Sequence, residues 1–135
     1  MKYQPGSGKR PAVHPLTSNV ASPAGASAAK LVIVDGQGAV VAKSLRHSGV
    51  NYAETSEACL TKAMTNAGIT RGQIRGAIAT GYGRGNVPWV DGTMTEIACH
   101  AKGAFSHVPM AMTVIDIGAQ DNKVIHLDDQ GRRIS

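Results

Sequence analysis

Five short apolar runs, rich in Val and Ile and ended by glycine or Asp-Gly turns, limit the folds open to this chain. Runs of this length are typical of buried β-strands, whereas a buried helix needs a longer apolar segment. The pattern predicts strands at 31–35, 39–46, 75–80, 112–117 and 122–127. Short turns separate the first two strands and the last two, so each of these pairs should form an antiparallel hairpin.

Two stretches between the strands carry apolar residues at helical spacing. The first covers residues 52–67 and is followed by Gly68, a typical residue at a helix end. The second covers residues 94–107 and follows Thr93-Met-Thr-Glu96, which has the spacing of a capping box. The predicted order is therefore ββαβαββ, an α/β layer fold with a mixed sheet and flanking helices.

Length and composition fit one small intracellular domain. The 135 residues contain no apolar run near the ~20 residues that span a bilayer, and no signal peptide is recognisable. Two cysteines are too few to stabilise a small secreted fold, so we expect a cytoplasmic protein. Residues 1–15 hold three prolines and a Gly-Ser-Gly run, which predicts a disordered leader before a folded segment at 16–135.

The charge distribution argues against a nucleic-acid-binding domain. The net charge is +5, but residues 1–34 contain four basic and no acidic residues, so most of the excess belongs to this segment. Aromatic residues make up 4% of the chain, fewer than a base-stacking surface requires. A solvated basic tail is the simpler interpretation, and nucleic acid is an unlikely partner.

The densest group of chemically active residues follows the strand predicted at 112–117. Asp116 and Asp121 could hold Mg²⁺ through water, since that ion keeps most of its hydration shell. Gly118 allows a close approach of backbone amides to an anion, and Lys123 could neutralise phosphate charge. A plain hairpin with solvated charges explains the same pattern, and the residues alone leave both interpretations open.

Other candidate residues are less distinctive. Arg84, in a glycine-rich loop after a predicted strand, could reach a phosphate or a partner carboxylate, or could be a surface cation. His100 points about 100° away from its neighbour Cys99 on a helix, so we interpret it as a core or interface histidine. Cys59 and Cys99 are interpreted as small buried thiols, and no metal ligand is assigned.

Three segments over 41–131 resemble one known family. They are Ala-Thr-Gly-Tyr-Gly-Arg at 79–84, Met-Thr-Glu-Ile-Ala-Cys-His-Ala-Lys-Gly at 94–103, and Thr-Val-Ile-Asp-Ile-Gly-Ala-Gln-Asp-Asn-Lys-Val-Ile-His at 113–126. The chain resembles the activator ATPases of 2-hydroxyacyl-CoA dehydratases and benzoyl-CoA reductases, the BadF/BadG/BcrA/BcrD type. The resemblance implies the N-terminal subdomain of an actin/hexokinase-like (ribonuclease H-like) ATPase.

The resemblance also implies a function and a set of partners. Members of the family are homodimers or paired subunits that share one [4Fe-4S] cluster at the subunit interface. They hydrolyse ATP with Mg²⁺ and deliver a low-potential electron to a dehydratase or reductase. Ferredoxin or flavodoxin is the expected electron donor, and no membrane is involved.

Two phosphate motifs of the family can be placed on the sequence. The second motif has Asp116 and Asp121 as catalytic residues, with phosphate-binding residues at Gly118, Gln120 and Lys123. Ala119 stands where the family usually has another glycine. The first motif is matched by Gly25, Ser27 and Lys30, while Pro23 occupies the position of its acidic residue.

The departures from the family leave two hypotheses. The family's cluster-binding cysteines and its adenosine-binding half correspond to positions after Ser135. One hypothesis is an ATP-driven electron-transfer activator represented by its N-terminal subdomain. The other is a truncated, non-catalytic remnant or interaction module that keeps the subdomain fold, and Pro23 and Ala119 favour it.

Overall fold

A computed structural model describes residues 12–18, 27–48, 50–118 and 121–134. The chain forms two compact units, Met1–Thr93 and Met94–Ser135, each of which is described by itself. The boundary between them falls inside the segment that the sequence assigned to one subdomain. In the described part of the chain, no helix is both long enough and apolar enough to cross a membrane.

The first unit contains a sheet of three antiparallel strands. β1 (Ala12–Ser18), β2 (Ser27–Val34) and β3 (Val40–Ser48) lie in the order β1-β2-β3. In the β2–β3 turn, a carboxylate oxygen of Asp35 accepts hydrogen bonds from the backbone N–H groups of Gln37 and Ala39. The predicted antiparallel hairpin is thereby confirmed.

Helix α1 (Tyr52–Ala67) packs against β2 and β3. It begins where the side chain of Asn51 accepts hydrogen bonds from two backbone N–H groups, and it ends at Gly68, whose φ is +68°. Both ends agree with the prediction. The core between helix and sheet consists mainly of alternate residues of β2 and one face of α1: Ala29, Leu31, Ile33, Cys59, Leu60, Ala63 and Ala67.

The rest of the first unit is built from short elements. β4 (Ile78–Ala79) pairs in parallel with β5 (Gly92–Thr93), and β1 lies beside β4. Two 3₁₀ turns, at Arg71–Gln73 and Tyr82–Asn86, flank β4. The predicted strand at 75–80 is therefore too long. Asp91 explains why β4 begins only after Ala77. Its carboxylate accepts a hydrogen bond from the Ala77 N–H, and its own N–H donates to the Ala77 carbonyl.

The second unit is a helix packed on a hairpin. Helix α2 (Glu96–His107) precedes β6 (Met112–Ile117) and β7 (Asn122–Leu127), which are antiparallel. Thr95 caps α2 by accepting the N–H of Ala98, so the helix begins two residues after the predicted start. The proposed capping box at Thr93 is wrong, because that residue is held extended in β5.

The sequence analysis did not predict two of the strands, β1 and β5. Residues 12–15 belong to β1, so the predicted leader does not hold there, and residues 1–11 lie outside the described residues. Proline is tolerated in β1 because β1 is an edge strand of its sheet. The described strands form three separate sheets, with both parallel and antiparallel pairs, rather than one mixed sheet.

Candidate functional site

The β6–β7 hairpin contains the residues that the sequence analysis singled out. Asp116 lies directly opposite Lys123, and the Gly118 N–H donates to the Asp121 carbonyl at 2.9 Å. A Cβ atom at Gly118 would lie 2.8 Å from that carbonyl oxygen, so the turn requires glycine here. Gln120, the remaining predicted residue of this turn, lies outside the described residues.

The hairpin presents two different faces. Met112 and Val114 of β6 pack with Ile125 and Leu127 of β7 against α2. Because side chains alternate along a strand, Asp116 and Lys123 project on this same face, at the end nearest the turn. Apolar side chains on the opposite face are exposed: Ile115, Ile117 and Val124. The two charged residues are thus placed by strand register beside a packed helix.

Asp116 lies close to a histidine of α2. Its Oδ2 atom lies 3.0 Å from Nδ1 of His100, and its side chain is 30% exposed. The His100 ring is 46% exposed, so a core location for this residue is wrong. Sequence reasoning missed this pair. The available signal was the position of His100 three residues after Ile97, at the edge of the apolar stripe of α2.

Lys123 bonds to Asp121 rather than to the residue opposite it. Its Nζ atom lies 2.9 Å from Oδ2 of Asp121, and its side chain is 22% exposed. This hydrogen bond, helped by the negative charges of Asp121, Glu96 and Asp116, raises the pKa of Lys123 above its ordinary value. The ammonium group is therefore charged at neutral pH and is attracted by three carboxylates, of which Asp121 is in direct contact with it.

Replacing Asp121 with asparagine should move the pKa of Lys123 back toward its ordinary value of about 10.4. Part of the shift should remain, since Glu96 and Asp116 still act on the ammonium group. A lysine whose pKa is raised by folding stabilises the fold below its unfolded pKa and loses that contribution as pH rises through the folded pKa. The pair therefore stabilises this unit at neutral pH and ceases to do so in strongly alkaline solution.

An NMR titration of the Lys123 side-chain Cε signal measures this effect. Asp129→Asn is the matched control, because it removes the same charge from an exposed turn of the same unit. The control should leave the Lys123 titration as in the wild type. An unchanged titration in Asp121→Asn would contradict the assigned cause of the shift.

The other predicted residues belong to the first unit. Arg84 lies in the 3₁₀ turn after β4, where its Nη1 atom donates to the Gly81 carbonyl at 2.9 Å. Ser27 begins β2, and Lys30 lies within β2 between Leu16 and Leu45 of the neighbouring strands. Gly25 lies outside the described residues. The structure thus groups Asp116, Gly118, Asp121 and Lys123 in the second unit. Ser27, Lys30 and Arg84 lie in the first unit.

Comparison with known proteins identifies the family. The family model described as the BadF/BadG/BcrA/BcrD ATPase family matches residues 24–134. This match covers well over half of the chain and includes the whole β6–β7 hairpin. The chain belongs to the BadF/BadG/BcrA/BcrD ATPase family.

Curated relatives in this family are similar over most of the chain. The activator of lactoyl-CoA dehydratase from Anaerotignum propionicum is 41% identical over 107 residues, which are 79% of this chain and 41% of that protein. The (R)-2-hydroxyglutaryl-CoA dehydratase activating ATPase from Acidaminococcus fermentans is 37% identical over 106 residues, 78% of this chain and 40% of the relative. The chain spans about two-fifths of the length of these relatives.

Solved structures of family members have the same fold. The match with component A of the (R)-2-hydroxyglutaryl-CoA dehydratase from Acidaminococcus fermentans covers 93% of this chain and 45% of that chain. Its TM-score is 0.76, with 31% identity. The match with the activator of the 2-hydroxyisocaproyl-CoA dehydratase from Clostridium difficile, with bound ADPNP, covers 94% of this chain and 44% of that chain. Its TM-score is 0.72, with 31% identity. The predicted actin-like α/β fold is confirmed.

The Cys59 thiol of this BadF/BadG/BcrA/BcrD member does not fit an iron–sulfur cluster. A [4Fe-4S] cluster takes four thiolates, which paired subunits could supply as two each, so the surroundings of each thiol matter more than the number of cysteines. Cys59 is 1% exposed, its Sγ atom contacts the Ala29 carbonyl at 3.6 Å, and burial raises the pKa of its thiol. Among the residues that the structure describes, no group of three or more His, Cys, Asp or Glu side chains is arranged to hold a metal ion.

Proposed function

We propose that this chain is the nucleotide-binding N-terminal part of an ATP-hydrolysing activator for a 2-hydroxyacyl-CoA dehydratase or benzoyl-CoA reductase. The observation that carries the proposal is the β6–β7 hairpin, which groups Asp116, Gly118, Asp121 and Lys123. This hairpin lies in a chain whose relatives are named as dehydratase activators. A structural neighbour contains ADPNP, which supports ATP as the ligand.

The hairpin residues fit a Mg²⁺-nucleotide. Gly118 adds no side chain of its own at the end of β6, which favours a close approach of a phosphate to the backbone there. Asp116 has one oxygen 3.0 Å from Nδ1 of His100 and remains partly exposed, which suits a carboxylate that accepts a hydrogen bond from metal-bound water. Mg²⁺, when bound with the nucleotide, would neutralise phosphate charge.

Lys123 supplies the positive charge of this group. Its ammonium group is hydrogen-bonded to Asp121, whose side chain is 67% exposed. The ammonium group has three N–H donors, so a bound phosphate could accept a hydrogen bond from Lys123 while Asp121 keeps its own. The negative charge of Asp121 would partly offset the attraction between Lys123 and the phosphate, so we expect a low affinity.

The cluster and the protein partners of the activator are further parts of the proposal. The resemblance to activator ATPases implies a [4Fe-4S] cluster shared between paired subunits, and we propose that Cys59 of this chain is not one of its ligands. The partner is a dehydratase or reductase component, and the electron donor is ferredoxin or flavodoxin. A cytoplasmic location stays a prediction.

One observation favours a second function, a non-catalytic remnant or interaction module. Pro23 takes the place of the acidic residue of the first phosphate motif, and proline has neither a charge nor an N–H donor. Losing one positioned donor in such a site typically reduces the rate by ~10²–10³. We therefore expect this chain to bind a nucleotide weakly and to turn it over negligibly.

Calorimetric titration with ADPNP and a phosphate-release assay with ATP test the proposal. We expect a dissociation constant in the millimolar range, about −4 kcal/mol, that depends on Mg²⁺. We also expect phosphate release equal to the buffer blank. Absence of binding at saturating ADPNP would favour the interaction module. Turnover at about 1 s⁻¹ or more, in the usual range of enzymes, would show a complete ATPase and contradict the expected inactivity.

A further inference from the structure

We propose that His100 is a positioning residue that fixes the orientation of the Asp116 carboxylate for Mg²⁺-nucleotide binding. The inference rests on the proposed function and adds a residue to its site. It is carried by the 3.0 Å contact between His100 Nδ1 and Asp116 Oδ2, which joins α2 to the end of β6. The packing of α2 on the β6–β7 hairpin brings the two residues together.

The packing that creates the contact is specific. Ile97 and Ala101 of α2 lie in one apolar cluster with Val114 of β6. His100 lies three residues after Ile97, so it shares the side of the helix that faces the strand. Asp116 lies two residues after Val114 and therefore projects on the same face of β6. The apolar cluster thus fixes the distance over which the imidazole and the carboxylate meet.

The chemistry of the pair suits positioning rather than stabilisation. An aspartate side chain has two rotatable bonds, and a partly exposed carboxylate without a partner samples several rotamers. The imidazole holds one oxygen, Oδ2, and leaves Oδ1 available for a donor such as metal-bound water. Both groups are substantially exposed, so solvent screens the pair and its contribution to folding stability is small.

Lys123 does not perform this task, although it lies opposite Asp116 in the strand register. Its ammonium group is hydrogen-bonded to Asp121 at 2.9 Å. In the part of the chain that the structure describes, the Asp116 carboxylate lies within hydrogen-bonding distance of His100. The contact of Asp116 with His100 and the contact of Lys123 with Asp121 are therefore separate.

Three substitutions separate positioning from general structure. His100→Leu removes the donor and keeps the bulk of the side chain. His100→Asn keeps an amide donor close to the place of Nδ1. His126→Leu is the matched control, because His126 bonds Thr113 at 2.9 Å on the opposite face of the same hairpin. His100→Leu should lose the fixed orientation of the Asp116 carboxylate. His100→Asn and His126→Leu should keep it.

The first measurement needs no nucleotide. Three-bond NMR couplings to the Asp116 Cγ atom report the rotamer of this side chain in the full chain. We expect one rotamer in the wild type, His100→Asn and His126→Leu, and rotamer averaging in His100→Leu. Averaging in the wild type, or one unchanged rotamer in His100→Leu, would overturn the proposal whether or not the chain binds a nucleotide.

The second measurement is the dissociation constant for ADPNP with Mg²⁺ and with EDTA. His100→Leu should lower the Mg²⁺-dependent affinity about fivefold, the size expected for one hydrogen bond, and leave the affinity in EDTA unchanged. When His100→Leu is added to Asp116→Asn, the Mg²⁺-dependent affinity should not fall further, because the two residues act together. An equal loss in EDTA, or an additive loss in the double variant, would contradict positioning. No binding by the wild type with a fixed Asp116 rotamer would instead contradict the proposed function.

Discussion

Asp116→Asn should lower the affinity for Mg²⁺-ADPNP at least about tenfold. Asparagine keeps the size of the side chain and an oxygen that can accept the hydrogen bond from His100. The change therefore removes the negative charge and one strong acceptor while the hairpin stays intact. Hydrogen bonds that involve a charged group contribute roughly 1.5–3 kcal/mol, and a factor of ten corresponds to the lower end of that range.

Isothermal titration of wild type, Asp116→Asn and Asp129→Asn measures this effect. Asp129 lies in the exposed turn after β7, so its substitution changes the net charge equally without touching the site. We expect Asp129→Asn to bind like the wild type. Equal losses in both variants would mean that only net charge matters, and an unchanged affinity in Asp116→Asn would remove this residue from the site.

Gly118→Ala should disrupt the turn that joins β6 and β7. The added Cβ atom would lie 2.8 Å from the Asp121 carbonyl oxygen, a backbone atom that cannot move without opening the turn. Opening the turn lengthens the 2.9 Å bond from the Gly118 N–H to that carbonyl and displaces Asp121 from Lys123. Overpacking of this kind typically costs about 1–3 kcal/mol. We expect a comparable local destabilisation of the hairpin and at least a tenfold loss of nucleotide affinity.

Amide hydrogen exchange of Val114 and Ile125 is the suitable measurement. The hairpin itself contains no tryptophan, because the single one of the chain is Trp89 in the first unit, so exchange at its own amides is the direct measurement. Gly103→Ala is the control, because Gly103 lies in α2 with open space around it and alanine favours a helix. Exchange should accelerate in Gly118→Ala and not in Gly103→Ala. Unchanged exchange in both would contradict the steric argument.

Sequence patterns predicted the elements whose signals are local. The bounds of α1, β6 and β7 agree with the prediction, because helical periodicity and the following Gly68 mark α1, and short apolar runs on both sides of a turn mark β6 and β7. β1 was missed because its stability comes from pairing with β2, which no local signal in Ala12–Ser18 reveals. β5 was missed for the same reason, since two residues pair with β4 across a long connection.

The candidate site was predicted in part for similar reasons. A hairpin turn brings Asp116, Gly118, Asp121 and Lys123 together through register, so short-range spacing was sufficient. The partner of Asp116 depends on how α2 packs against β6, and helical periodicity does not specify which strand a helix covers. Pairing of Lys123 with Asp121 rather than with Asp116 depends on side-chain reach, which register alone does not decide.

We propose the β6–β7 hairpin as the nucleotide-binding element of this chain. Backbone amide signals recorded during titration with Mg²⁺-ADPNP locate the binding site residue by residue. We expect saturable shifts centred on Asp116, Gly118 and Lys123. Shifts confined to the basic segment before residue 34, lost on adding salt, would show nonspecific attraction to the phosphates instead. That result, or no shifts at all, would contradict the claim.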